Sequence, residues 1–126
     1  MQRGAGLLIT AMTTTLVVTR AYLHWRPDTD LNIGRYNVHH LFTGVLIMAI
    51  CGIPAILGGS GRRAQAILTM GFGVGLSLAL DQWVYLIATD GTNASYLLPI
   101  SWIPASIMVA LACAYTALLG RRRPDG

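Results

Sequence analysis

The chain has 126 residues, of which 54% are hydrophobic and only 11% charged, where a soluble globular domain carries roughly a quarter charged residues. All 9 basic residues are arginine and the net charge is +4, yet they flank apolar runs and form no basic face interleaved with aromatics, which excludes nucleic-acid binding. This is the pattern of an integral membrane protein.

The first apolar run, residues 7–23, contains Thr13-Thr14-Thr15 and Arg20. Its length, and the absence of a small-residue cleavage site after it, predict a retained helix rather than a signal peptide. Trp25 and Pro27 end it, and a polar connection carrying Arg26, Asp28, Asp30 and Arg35 runs to about Asn37. A second span, 38–57, opens on His39-His40 and contains Gly44. After the Gly58–Arg63 turn comes a third span, 64–88, whose only acid is Asp81. A charge at that depth costs a few kcal/mol and must be compensated. Gly71, Gly73 and Gly75 precede it, and the four-residue spacing of Gly71 and Gly75 predicts a face for close helix packing. The fourth span, 97–119, follows the Asp90-Gly91-Thr92-Asn93 turn and contains Pro99 and Pro104.

The expected fold is an all-α membrane protein: one domain, residues 1–126, of four transmembrane helices in an up-down bundle. Arg3, Arg62, Arg63, Arg121, Arg122 and Arg123 would share one side, against Arg20, Arg26 and Arg35 on the other. The positive-inside rule then puts both termini in the cytoplasm. Cys51 and Cys113 lie inside apolar runs without ligand spacing and read as small packing residues.

With this topology the outer half of the bundle gathers the polar groups. Ser77, Asp81 and Tyr85 share one helix face at four-residue spacing, and Arg20, His39 and His40 lie at the same end. Three occupants compete for this intramembrane site. A metal could be held by His39, His40 and Asp81, whose side chains are suitable ligands. Side-chain lean weakens that reading, because it points His40 and Asp81 apart along their helices. A haem between His24 and His40 has depth in its favour and no motif. The third reading is an ion pair of Asp81 with Arg20, whose long side chain leans toward the acid's depth.

His39-His40 opening one span, followed by Gly-x-Gly-x-Gly-Leu-x-Leu-Ala-Leu-Asp in the next, resembles uncharacterised small prokaryotic integral membrane proteins across residues 36–85. The resemblance implies fold and kingdom only, with no particular activity; the expected location is the bacterial inner membrane. Four-helix small multidrug transporters resemble the chain poorly, because their essential acid lies in the first span, where this chain has Arg20. Two functions are expected to compete: an accessory or assembly subunit of a larger membrane complex, and a small oligomeric transporter or metal- or proton-linked protein. A bilayer and a homo-oligomer or larger complex are the expected partners. No nucleophile–base pair, phosphate loop or zinc-protease motif points to an enzyme.

Overall fold

The computed structural model describes residues 3–26, 31–33 and 36–122. Four of its helices are long and apolar enough to cross a membrane: α1 (Arg3–Trp25), α2 (His40–Leu57), α3 (Arg62–Ala88) and α5 (Pro99–Arg122). At about 1.5 Å per residue even α2, with 18 residues, comes close to the ~30 Å hydrocarbon thickness. The chain is thus a multi-pass, all-α membrane protein. Between α1 and α2 the expected irregular connection contains a short antiparallel hairpin, β1 (Leu31–Ile33) with β2 (Tyr36–Val38), in the register Leu31↔Val38 and Ile33↔Tyr36. The second span accordingly starts at His40, two residues later than expected. The fourth segment is divided: a single turn, α4 (Asn93–Tyr96), precedes α5. Asp28, Asp30, Arg35, Arg123 and Asp125, which enter the charge reading of the sequence, lie outside the described residues.

Helix α3 packs against α1, α2 and α5, α1 also packs against α5, and α2 joins the bundle chiefly through α3. This central position explains a burial pattern unusual for a helix. Gly73, Gly75, Ser77, Ala79 and Asp81, every second residue, are all buried. Residues two apart on a helix are about 200° apart, so alternate burial means that opposite sides of α3 are covered. The glycines divide accordingly. A Cβ on Gly73 would fall 2.9 Å from Ala11 Cβ of α1, whereas one on Gly75 would fall 2.6 Å from the Gly44 carbonyl oxygen of α2. A Cβ on Gly71 would strike Cys51 Sγ, also of α2. The Gly-x-Gly-x-Gly run is therefore two interleaved small-residue faces, one toward each neighbour. Gly44 reciprocates, since a Cβ there would lie 2.8 Å from the Ala79 backbone nitrogen. The backbones of α2 and α3 are in direct contact.

Candidate functional site

Continuing the α1-facing line of α3 by four residues at a time leads from Gly73 through Ser77 to Asp81. Ser77 donates to the Met12 carbonyl of α1 at 2.8 Å. One turn further on, Arg20 Nε meets Asp81 Oδ1 at 2.6 Å. All three guanidinium nitrogens are engaged: besides Nε, Nη1 donates to the Tyr96 carbonyl at 2.8 Å, and Nη2 to Ser101 Oγ at 3.0 Å and to the Asp81 carbonyl at 3.2 Å. Its Cζ stands 3.9 Å from the centroid of the Tyr96 ring, a cation–π contact. A planar fork with several donors is required for this set, and an ammonium could not reproduce it.

The second carboxylate oxygen is shared. His40 Nε2 lies 2.6 Å from Asp81 Oδ2, and the Tyr96 hydroxyl donates to the same atom. A carboxylate paired with arginine offers only lone pairs, so His40 carries its proton on Nε2 and donates. The imidazole and the phenol then add hydrogen bonds to the Arg20–Asp81 ion pair. Asp81 is 1% exposed, and no buried side-chain nitrogen or oxygen among the described residues lacks a partner.

The short gap between His40 and Asp81 corrects the expectation drawn from side-chain lean. That argument holds for helices at ordinary separations of about 8–10 Å. Here the Gly44–Gly75 contact brings α2 closer, and one turn above Gly44 the imidazole spans the remaining distance. The same contact brings the start of α2 to its neighbour, where the Leu41 amide donates to Gln82 Oε1 at 2.8 Å.

Tyr96 is placed by local turn chemistry. In the Asp90-Gly91-Thr92 turn, Gly91 adopts φ 75°. Asp90 Oδ1 accepts from Ser95 Oγ at 2.6 Å, from Thr92 Oγ1 at 2.8 Å and from the Thr92 amide at 3.1 Å. The Ser95 hydroxyl first, and then the Thr92 amide, hold the Asp90 carboxyl below its usual range. Tyr85 ties the turn back to α3 by donating to the Thr92 carbonyl at 2.8 Å. Burial, and after it the nearby Asp81 charge, push the Tyr96 phenol well above its ordinary range, which keeps it a donor.

Of the residues singled out in the sequence, Arg20, His40 and Asp81 are brought into one cluster; Ser77 and Tyr85 are buried on the same α3 face but bond elsewhere. The proposed metal set is not assembled. The His39 ring packs edge-on against Tyr85 at 6.1 Å between centroids, and both Asp81 oxygens are taken by Arg20, His40 and Tyr96. Among the described residues no group of three or more His, Cys, Asp or Glu side chains could hold a metal ion. For the haem reading, His24 is exposed at the end of α1 and His40 is committed to Asp81. Sequence reasoning missed Tyr96, Ser101 and Gln82. Gln82, a second polar residue beside Asp81 in an apolar run, was the available signal; Tyr96 and Ser101 carried none beyond their place near the start of the fourth span.

Fold and cluster together define a class: a multi-pass helical membrane protein whose spans are tied at one end through a single buried carboxylate. No protein-family model, curated protein or solved structure matches the chain.

Proposed function

We propose that this chain is an accessory or assembly subunit of a larger complex in the bacterial inner membrane, with both termini and the Gly58–Arg63 turn on the cytoplasmic side. One observation carries the reading. Both oxygens of Asp81 are occupied by groups from α1, α2 and α4, so the polar chemistry within the membrane is spent on internal cohesion. The outward surface is then what remains for partners. On α2 it is a broad apolar face, with Phe42, Val45, Leu46, Ile50 and Ile53 all exposed. Close glycine contacts hold α2 rigidly against α3, which suits a helix that presents such a face. The inner-membrane assignment rests on the likeness of the His39-His40 and glycine–acid motifs to small prokaryotic membrane proteins, and the orientation on the arginine asymmetry.

The test is purification in mild detergent under native expression, followed by mass measurement and identification of co-purifying chains. A stoichiometric complex with different chains is expected. A homogeneous homo-oligomer that acidifies liposomes would instead establish the second reading, a proton-linked protein. That reading is favoured by one contact: His40, its side chain 20% exposed, links the buried acid to the protein surface. Orientation is tested separately by labelling Ser60→Cys in a Cys51→Ala/Cys113→Ala background, where modification only after the membrane is opened from the cytoplasmic side is expected.

A further inference from the structure

At the end of the bundle opposite Asp81, the first turns of α1 and α3 border a groove of about 400 Å³ lined by Arg3, Arg62, Gln65, Thr69, Leu7 and Ala66. A second groove of about 520 Å³ shares Arg3 and Leu7 with it and continues along both helices past Ala11, Thr14, Met70 and Val74. Each volume falls within the range of small-molecule sites, about 300–1,000 Å³. From Arg3 to Thr15 the α1 wall runs about 18 Å, comparable to one leaflet of a hydrocarbon core about 30 Å thick. The polarity changes along it, from two arginines at the mouth to largely apolar side chains further in.

The charge at the mouth has no counter-charge among the described residues. Arg3 and Arg62 are exposed and form no ion pair or hydrogen bond among the described residues. Neither helix has an acid in its first turn. A neighbouring apolar helix would cover the lower groove and leave both guanidinium groups without a counter-charge. A zwitterionic lipid would bring its own ammonium toward them. We propose that this groove binds one anionic phospholipid, its phosphate between Arg3 and Arg62 and an acyl chain along the α1–α3 seam over Leu7, Ala11, Met70 and Val74. Guanidinium is matched to phosphate by its paired donors.

The test is lipid retention. Protein reconstituted with equal parts phosphatidylglycerol and phosphatidylcholine is extracted in mild detergent, and bound lipid is counted by native mass spectrometry and then titrated. One phosphatidylglycerol per chain is expected to be kept in preference to phosphatidylcholine. Arg3→Gln/Arg62→Gln should weaken it roughly 25-fold, about a factor of five for each basic residue at an anionic surface. Thr10→Trp, which fills the deeper groove without changing charge, should also weaken it. Arg121→Gln/Arg122→Gln, at the end of α5 and outside the groove, should have little effect. Equal retention of the two lipids overturns the proposal, as does equal loss from the two arginine pairs. So does an Arg3/Arg62 variant that changes oligomeric mass while keeping its lipid, because the groove would then seat a second copy.

Discussion

The two flanks of α3 are held by different physics. Toward α1 the contact is polar and directional: Ser77 reaches the Met12 carbonyl, and Asp81 pairs with an Arg20 whose three guanidinium nitrogens all donate. Toward α2 it is steric: Gly44 and Gly75 bring backbone against backbone, and Gly71 leaves room for Cys51. The α2 flank becomes polar at its two ends, through His40 and Gln82 near Asp81 and through Gln65, which donates to the Ala55 carbonyl at 3.3 Å. The helices themselves differ in the same sense. Helix α2 is the more apolar, with mean hydropathy 2.1 against 1.4, yet 11% of its span is buried against 28% for α3. In a bilayer lipid is as apolar as a protein interior, so hydropathy does not drive a helix inward; small residues and polar partners do.

The largest expected effect breaks the polar flank. Asp81→Asn or Arg20→Gln leaves a partner unbalanced in a low-dielectric site and should cost about 3–5 kcal/mol, read as thermal stability in detergent. The double variant should recover much of that loss. Additive losses without coupling would show that the pair is not what joins α1 to α3. Arg20→Lys keeps the charge balance but cannot serve Asp81, Tyr96 and Ser101 together, so it should cost less than Arg20→Gln and still fall below the parent protein.

Tyr96→Phe sharpens the same flank. The ring over Arg20 is kept and only the hydroxyl that donates to Asp81 is lost, at about 1.5–3 kcal/mol for a hydrogen bond to a charged group. An unchanged melting temperature would mean that the phenol contributes packing alone.

On the steric flank the comparison is between two glycines. Alanine is the better helix former by about 1 kcal/mol, so a harmless Gly→Ala change should stabilise. At Gly75 the added carbon meets backbone atoms of Gly44 and Met48 within 2.8 Å, and α2 must move, at a cost of about 1–3 kcal/mol. At Gly73 the nearest atoms are the Ala11 Cβ at 2.9 Å and, at 3.1 Å, the end of the Leu8 side chain and the Leu8 carbonyl oxygen, so backbone is met at a longer distance and part of the crowding falls on a side chain that can turn. Gly75→Ala should therefore be clearly the worse of the two, and should also loosen His40 from Asp81. Equal melting temperatures for the two variants would contradict a backbone contact with α2.

The smallest effect lies in the turn that presents Tyr96. The Asp90 carboxyl is held below its ordinary 3.8 by Ser95 and Thr92. Its contribution is therefore present above that pH and is lost as pH falls through the lower folded-state value. Asp90→Asn should abolish this acid-side dependence and shift stability slightly at neutral pH. An acid titration of tyrosine fluorescence that is identical in the two proteins would dissociate the turn from the cluster.

Composition and hydropathy alone determined that this is a four-span helical membrane protein, because the bilayer demands long apolar segments wherever the chain crosses it. They also marked Asp81 as a group in need of a partner and, by depth, Arg20 as a candidate. What only the tertiary structure decided is how many partners the acid has and which helix each glycine touches. Side-chain lean on an isolated helix placed His40 away from Asp81; a glycine contact that shortens the distance between α2 and α3 brought it back. Gly71, Gly73 and Gly75 read as one small-residue stretch along the chain, yet they belong to two opposite interfaces. Tyr96 reaches Asp81 through a turn whose path depends on Asp90, Thr92 and Tyr85 bonding across it. Periodicity describes one helix at a time, and each of these outcomes depends on the separation and rotation of two.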